Sequence, residues 1–255
     1  QYAMHCSKAG LADTRGIYMD DGAVSYLGHK SMGGFAHENL DPMLRKLVYG
    51  KWWQHVATTG SSAWVSEAYL AFPEFAHPLL KSKAIKAIDA SVFIAKPIQQ
   101  LSQSMLASSG VDTNSLTDFK LFLVLPNEGV YKHDTNRLTV IFERLCLNYD
   151  VSEICIKAHP RSQDDALLIQ AFPGVTFINK QLGMEMLLPL LNPNCVILGE
   201  LSTALLSSKW LRPDLPVFAL ASDKPDTSLD ALFDRLSIKH ATFSDDCPFQ
   251  LACSV

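Results

Sequence analysis

Glu153-Ile154-Cys155-Ile156-Lys157-Ala158-His159-Pro160-Arg161 decides how this chain is read. A short run rich in β-branched residues enters a Lys-x-His-Pro-Arg turn, so three side chains able to carry positive charge gather where a strand ends. In open α/β sheets, ligands bind at the carboxyl ends of the strands. Proline after His159 steers the histidine away from helical dihedrals and ends the strand, which presents the imidazole in a loop. A single Lys or Arg in such a turn usually does no more than solvate it. The combination, at a strand exit inside a repeating β-α pattern, points to a phosphate or carboxylate site.

Working outward, short apolar runs alternate with helical patterns of about ten to fifteen residues. Strands are expected at Leu121–Leu125, Ile154–Lys157, Val175–Ile178, Cys195–Leu198 and Val217–Leu220. The helices between them fall near Thr135–Asn148, Gln163–Ala171, Met184–Leu191, Thr203–Lys209 and Leu229–Leu236. This predicts an α/β fold with a Rossmann-like parallel sheet and right-handed crossovers over residues 111–255. The first strand leads into Pro126-Asn127-Glu128-Gly129 rather than a G-x-G-x-x-G or Walker loop, which argues against dinucleotide and nucleoside-triphosphate binding by those loops.

Two further turns on the same sheet edge carry candidates. The fourth strand ends in Leu198-Gly199-Glu200-Leu201-Ser202-Thr203; Gly199 lets the chain turn, and Ser202 or Thr203 can cap the next helix or offer a hydroxyl to an anion. Glu185, at the start of the helix after the third strand, can either accept hydrogen bonds from ribose hydroxyls or complement the helix dipole. Glu128 carries the same ambiguity. With Lys157, His159, Pro160 and Arg161, these residues make up the expected nucleotide-binding edge.

Residues 1–110 read differently. Ile17-Tyr18-Met19 is strand-like and ends in Asp20-Asp21-Gly22, where glycine permits a tight turn. Adjacent carboxylates point apart, so one can face a ligand while the other caps the following segment. From Asp41 to Ile94 the spacing reads as helical, with Trp52 and Trp53 as core residues, and Lys81–Ala95 as a further amphipathic helix. The polar stretch Leu101–Asp118 is the expected domain boundary.

The chain has 255 residues, 48% of them hydrophobic, enough for a substantial core in one large or two modest domains. A net charge of −4 gives no general attraction to nucleic acid, so any basic site must be local. Six cysteines include no C-x-x-C pair, and three fall in apolar segments read as core, which suits buried free thiols in a reducing compartment.

Asp20-Asp21-Gly22, Lys157-x-His159-Pro160 and Ser202-Thr203, in this order around a Rossmann-like half, resemble the D/E-D/E-G, His-Pro and Ser/Thr motifs of bacterial sialyltransferases. The pattern is most similar to the lipooligosaccharide sialyltransferases and the capsular polysialyltransferases. The resemblance implies a GT-B arrangement of two Rossmann-like domains, with CMP-sialic acid as donor, a cell-surface glycan as acceptor, and inversion at the anomeric centre without a metal or other cofactor. By the same resemblance, Asp20 or Asp21 would be the general base, His159 would contact or protonate the departing CMP phosphate, Ser202 and Thr203 would bind that phosphate, and Glu185 would lie near the ribose. It also implies a cytoplasmic protein, with peripheral association at the inner face of the bacterial inner membrane as one option. The absence of a D-x-D motif agrees with metal independence. Few residues precede Asp20, whereas a complete amino-terminal Rossmann domain needs roughly a hundred. Together with Gln1 in place of Met, this leads us to expect either a portion of a longer protein or a reduced relative. The alternatives are a GT-B transferase with another nucleotide-sugar donor and a truncated nucleotide-binding domain without catalysis.

Overall fold

The structure is a computed structural model, and it describes residues 15–28, 41–50, 56, 58–108, 110–111, 116–129, 131, 135–163, 165–200, 202–220 and 227–241. The chain divides into two compact units, Gln1–Asp89 and Ala90–Val255. The division falls before the polar stretch Leu101–Asp118 that the sequence suggests as a boundary, and the start of that stretch, to Ser108, belongs to a helix of the second unit.

In the first unit, β1 (Ile17–Met19), β2 (Glu67–Leu70) and β3 (Ala84–Ala87) pair in parallel in the order β1-β2-β3. Alternation along the strands buries Tyr18, Ala68 and Leu70 in a small core with Ala76 and Leu80. Gly16, just before β1, admits no side chain, since a Cβ there would lie 2.0 Å from the Trp64 carbonyl oxygen. Among the described residues, this unit also has two helices, α1 (Val24–Leu27) and α2 (Asp41–Tyr49), and 3-10 turns at Pro73–Phe75 and Pro78–Leu80. The continuous helical reading from Asp41 to Ile94 is therefore corrected. It holds for α2, but Glu67–Leu70 and Ala84–Ala87 are strands. Ala, Glu and Lys are poor strand formers, and pairing with β2 overrides the weak local preference of Ala84-Ile85-Lys86-Ala87. Trp52 and Trp53 lie outside the described residues.

The second unit opens with α3 (Ser91–Ile94) and α4 (Lys96–Ser108). Six parallel strands follow: β4 (Leu121–Val124), β5 (Ile154–Lys157), β6 (Thr176–Ile178), β7 (Val196–Gly199), β8 (Val217–Leu220) and β9 (Lys239–Ala241). Their order is β6-β5-β4-β7-β8-β9, which is the 3-2-1-4-5-6 order of a doubly wound Rossmann sheet. The intervening helices are α5 (Thr135–Leu145), α6 (Asp165–Ala171), α7 (Met184–Leu187), α8 (Thr203–Leu211) and α9 (Thr227–Arg235). Every residue of β4, β5, β7 and β8 is buried, as expected of parallel strands covered on both faces. On one face, Leu121, Leu123, Ile154, Ile156, Val196 and Leu198 pack against Leu138, Ile141, Phe142 and Leu145 of α5 and Leu168 of α6. The Phe142 and Phe172 rings meet edge to face there, 5.5 Å apart.

Cys155 and Cys195 are buried free thiols, whereas Cys146 is exposed, because it follows the last turn of α5 and faces away from the core. Among the described residues, no helix is long and apolar enough to cross a membrane.

Candidate functional site

Strand order reverses between β4 and β7, and the exits of those neighbours must diverge there because their crossovers leave toward opposite faces. A crevice of about 530 Å³ opens at this point. Its walls come from four strand exits: Pro126 and Asn127 after β4, Lys157 to Pro160 at β5, Gln181 to Glu185 after β6, and Ser202, Thr203 and Ser207 after β7. The structure thus brings together Lys157, His159, Pro160, Glu185, Ser202 and Thr203 of the expected set. Three others are not in its lining. Arg161 is exposed beyond the turn. Glu128 reaches back to accept the Gln163 backbone N–H at 2.7 Å, tying the β4 and β5 exits together. Gly199 is a spacing residue. It pairs with Val124 across the switch point, and a Cβ there would lie 2.9 Å from the Val124 carbonyl oxygen.

His159 begins a turn closed by the Ser162 N–H donating to the His159 carbonyl at 2.9 Å, with Pro160 in the second position that its fixed φ suits. The Arg161 backbone N–H donates to His159 Nδ1 at 3.1 Å. Nδ1 is therefore an acceptor, and the neutral imidazole carries its proton on Nε2. Partial burial, with Arg161 and Lys157 close by, holds the imidazolium below its ordinary pKa. The crevice thus offers a neutral Nε2–H donor at pH 7.

Lys157 is 4% exposed, far more buried than lysines usually are. Its Nζ donates to the Lys180 carbonyl at 3.1 Å. Burial lowers its pKa, while the Glu185 carboxylate favours the charged form. Glu185 in turn accepts a hydrogen bond from Ser207 Oγ at 2.8 Å. Gln181 straps the β6 exit to the β5 turn, its Nε2 donating to the Pro160 carbonyl at 3.2 Å.

Ser202 holds the N-cap position of α8, yet its side chain makes no capping bond. Its Oγ is buried without a hydrogen-bond partner among the described residues. Of the two roles open to Ser202, capping the helix or offering its hydroxyl to an anion, the capping one is not taken up. In place of a cap there is an orphaned hydroxyl at the positive end of a nine-residue helix, whose first turn closes with the Leu205 N–H donating to the Ser202 carbonyl at 3.2 Å. Such an orphaned hydroxyl costs about 1–3 kcal/mol unless something satisfies it. One turn back on the same edge, Glu200 is buried and ion-paired with Arg137 at 3.2 Å, so this acid is engaged structurally.

The two acids of the first unit are unlike each other. Asp20 Oδ1 accepts from Gly22 N and Ser25 Oγ, both at 2.8 Å, and Oδ2 accepts from Ala71 N at 2.9 Å and from the Tyr26 hydroxyl. Ser25 gives its only proton to Asp20, so the Tyr18 hydroxyl at 2.7 Å must be the donor to Ser25 Oγ. Burial and the Asp20 charge push the Tyr26 phenol well above its ordinary pKa, and burial does the same to Tyr18. Gly22 takes φ 73, the left-handed conformation the turn requires. Asp20 is thereby saturated, whereas the exposed Asp21 carboxylate accepts nothing from the described residues.

Sequence reasoning missed Gln181 and Ser207. Ser207 was legible in one respect: it lies four residues after Thr203, on the same helix face. Among the described residues, no group of three or more His, Cys, Asp or Glu side chains is arranged to hold a metal ion.

No family model matches the chain, and no curated protein matches it in sequence. Solved structures share its fold, two of them as follows. One is an α/β-galactoside α-2,3-sialyltransferase from the luminous marine bacterium Photobacterium phosphoreum, 14% identical, with a TM-score of 0.57 over 93% of this chain and 74% of that one. The other is the GT-B domain of a sialyltransferase from Photobacterium damselae, 13% identical, with a TM-score of 0.53 over 89% of this chain and 71% of that one. At these identities the likeness establishes the fold, an α/β architecture of the GT-B type.

Proposed function

We propose that the chain is a sialyltransferase-like glycosyltransferase whose crevice holds the CMP portion of CMP-sialic acid. The observation that carries this reading is the buried, unpartnered Ser202 hydroxyl at the head of α8, in one crevice with the Nε2–H of His159. A nucleoside monophosphate presents one phosphate. One imidazole, one buried lysine and one helix N-terminus match that charge better than the diphosphate of a UDP- or GDP-sugar.

In the proposed reaction, an acceptor hydroxyl oxygen attacks the anomeric carbon of sialic acid and the bond from that carbon to the phosphate oxygen breaks. The acceptor proton passes to a carboxylate, and CMP leaves with the bonding electron pair. His159 donates Nε2–H to the departing phosphate, Ser202 and Thr203 bind its other oxygens, and Glu185 receives the ribose hydroxyls. Of the two acids, Asp21 has vacant lone pairs and serves as the base, while Asp20 fixes the turn that presents it. The acceptor would be a galactose-ended glycan of the kind named for the Photobacterium phosphoreum enzyme, with lipooligosaccharide and capsule as the carriers to try.

CMP release from CMP-sialic acid, measured with galactoside acceptors for the wild type, Asp20→Ala and Asp21→Ala, tests this. The expected result is metal-independent turnover that falls about 10²–10⁴-fold in Asp21→Ala with an unchanged melting temperature, whereas Asp20→Ala lowers the melting temperature first. Turnover of UDP- or GDP-sugars instead would overturn the donor assignment, and wild-type-like rates in Asp21→Ala would overturn the base.

A further inference from the structure

Two adjacent serines on α8 use their hydroxyls differently. Ser208 Oγ donates to the Ala204 carbonyl at 2.7 Å, the local bond to residue i−4 that a serine inside a helix ordinarily makes. Ser207 forgoes its equivalent and donates across to Glu185 Oε1 at 2.8 Å. An ionised carboxylate only accepts, so the serine proton must point at Glu185. Glu185 stands on a helix of four residues, too short to hold a long side chain by its own packing, and its N-cap Gly183 supplies no side chain to brace it. The remaining oxygen, Oε2, lies on the Gly183 side, where even a Cβ would approach to 3.2 Å, so the missing side chain keeps that flank open. Both Gly183 and Ser207 line the crevice. Among the described residues, Ser207 fixes one Glu185 oxygen and Lys157 attracts the carboxylate as a whole.

We propose that Ser207 is a positioning residue whose hydroxyl holds the Glu185 carboxylate ready for a ribose diol, so that preference for ribonucleotides over 2′-deoxyribonucleotides runs through Ser207. This rests on the nucleotide reading given above. Its structural content is that α8 carries both halves of the recognition: its first turn presents Ser202 and Thr203 to the phosphate, and its second turn sets the acid that reads the sugar. The spacing between phosphate and ribose contacts is then set by one turn of a rigid helix, about 5.4 Å.

The test measures calorimetric affinities of the full chain for CMP, 2′-deoxy-CMP and inorganic phosphate, for the wild type, Ser207→Ala, Ser207→Thr and Glu185→Gln, with melting temperatures alongside. The wild type is expected to prefer CMP over 2′-deoxy-CMP, and Ser207→Ala to reduce that ratio about tenfold, the loss of one charge-assisted hydrogen bond, without changing phosphate affinity. Ser207→Thr, which keeps a hydroxyl, should restore the ratio. Three results overturn the proposal while leaving the nucleotide reading intact: a wild type indifferent to the 2′-hydroxyl, a Ser207→Ala ratio equal to wild type while Glu185→Gln loses it, or an equal loss for all three ligands. Failure of the wild type to bind either nucleotide would remove the underlying reading as well.

Discussion

His159 and His77 are both followed by proline, and both use Nδ1 to accept the backbone N–H two residues on, from Arg161 at 3.1 Å and from Leu79 at 3.2 Å. The His-Pro pair is thus a local turn device wherever it occurs, and chemistry comes only from where the turn stands. At His159 it stands in a crevice that also holds the unpartnered Ser202 hydroxyl; at His77 it caps a 3-10 turn. The strand β5 runs almost directly into the turn at His159, whereas the 3-10 turn Pro73–Phe75 separates β2 from His77. The division of labour between Asp20 and Asp21 was not legible, because it depends on Ala71, far along the chain, donating to Asp20. A pH dependence follows from the His159 environment. With its folded pKa below the unfolded value near 6.5, the imidazole disfavours protonation in the fold, so the stability it contributes is present above pH 6.5 and is lost as pH falls. A bound phosphate reverses the sign, since its charge favours imidazolium. CMP affinity should therefore rise as pH falls from 8 to about 6.5, below which the phosphate itself takes up a proton. Titrations in buffers of different ionisation enthalpy should show proton uptake that disappears in His159→Gln; a slope that persists in this variant would assign the proton elsewhere.

Among the elements, legibility followed burial. β4, β5, β7 and β8 lie within a residue of their expected limits because strands buried on both faces read as unbroken apolar runs. The edge strand β9, Lys239-His240-Ala241, was missed because half-exposed edges carry no such run. β2 and β3 were read as helix because Ala, Glu and Lys carry a helical signal that strand pairing outweighs. The helix expected at Thr203–Lys209 runs on to Leu211, and its start is uncapped, a point on which the sequence was divided because a serine before a helix normally signals a cap. Gly199 belongs at this scale too. It was read as a turn residue at the ligand, and it turns out to govern how closely β4 and β7 pack at the switch point. Gly199→Ala must push a methyl against the Val124 backbone oxygen at 2.9 Å and Leu205 Cδ2 at 3.3 Å. It should cost about 1–3 kcal/mol in chemical denaturation, as overpacked core sites do. A variant as stable as wild type would show that the two strands can part freely.

At the scale of the whole molecule, two compact units carry two kinds of chemistry. The first holds an acidic turn braced by tyrosines and serine, and the second a doubly wound sheet with a basic, partly orphaned crevice at its switch point. From β4 to β8 the second unit was legible because alternating strands and helices under a fixed crossover hand imply a parallel sheet, whereas its opening helices and β9 were not. Within it, placing Lys157, His159, Glu185, Ser202 and Thr203 in one crevice needed only the rule that ligands bind at strand exits. The central claim is that this crevice selects CMP, and thermal unfolding with CMP, UDP and GDP at equal concentration, each in EDTA and again in Mg²⁺, tests it most directly. A ligand present at 100 times its Kd that binds only the folded state adds about 2.7 kcal/mol, a readily measured rise in melting temperature. The account predicts a rise with CMP alone, the same in EDTA as in Mg²⁺; a rise that requires Mg²⁺ with UDP or GDP, or no rise with any of the three, would contradict it.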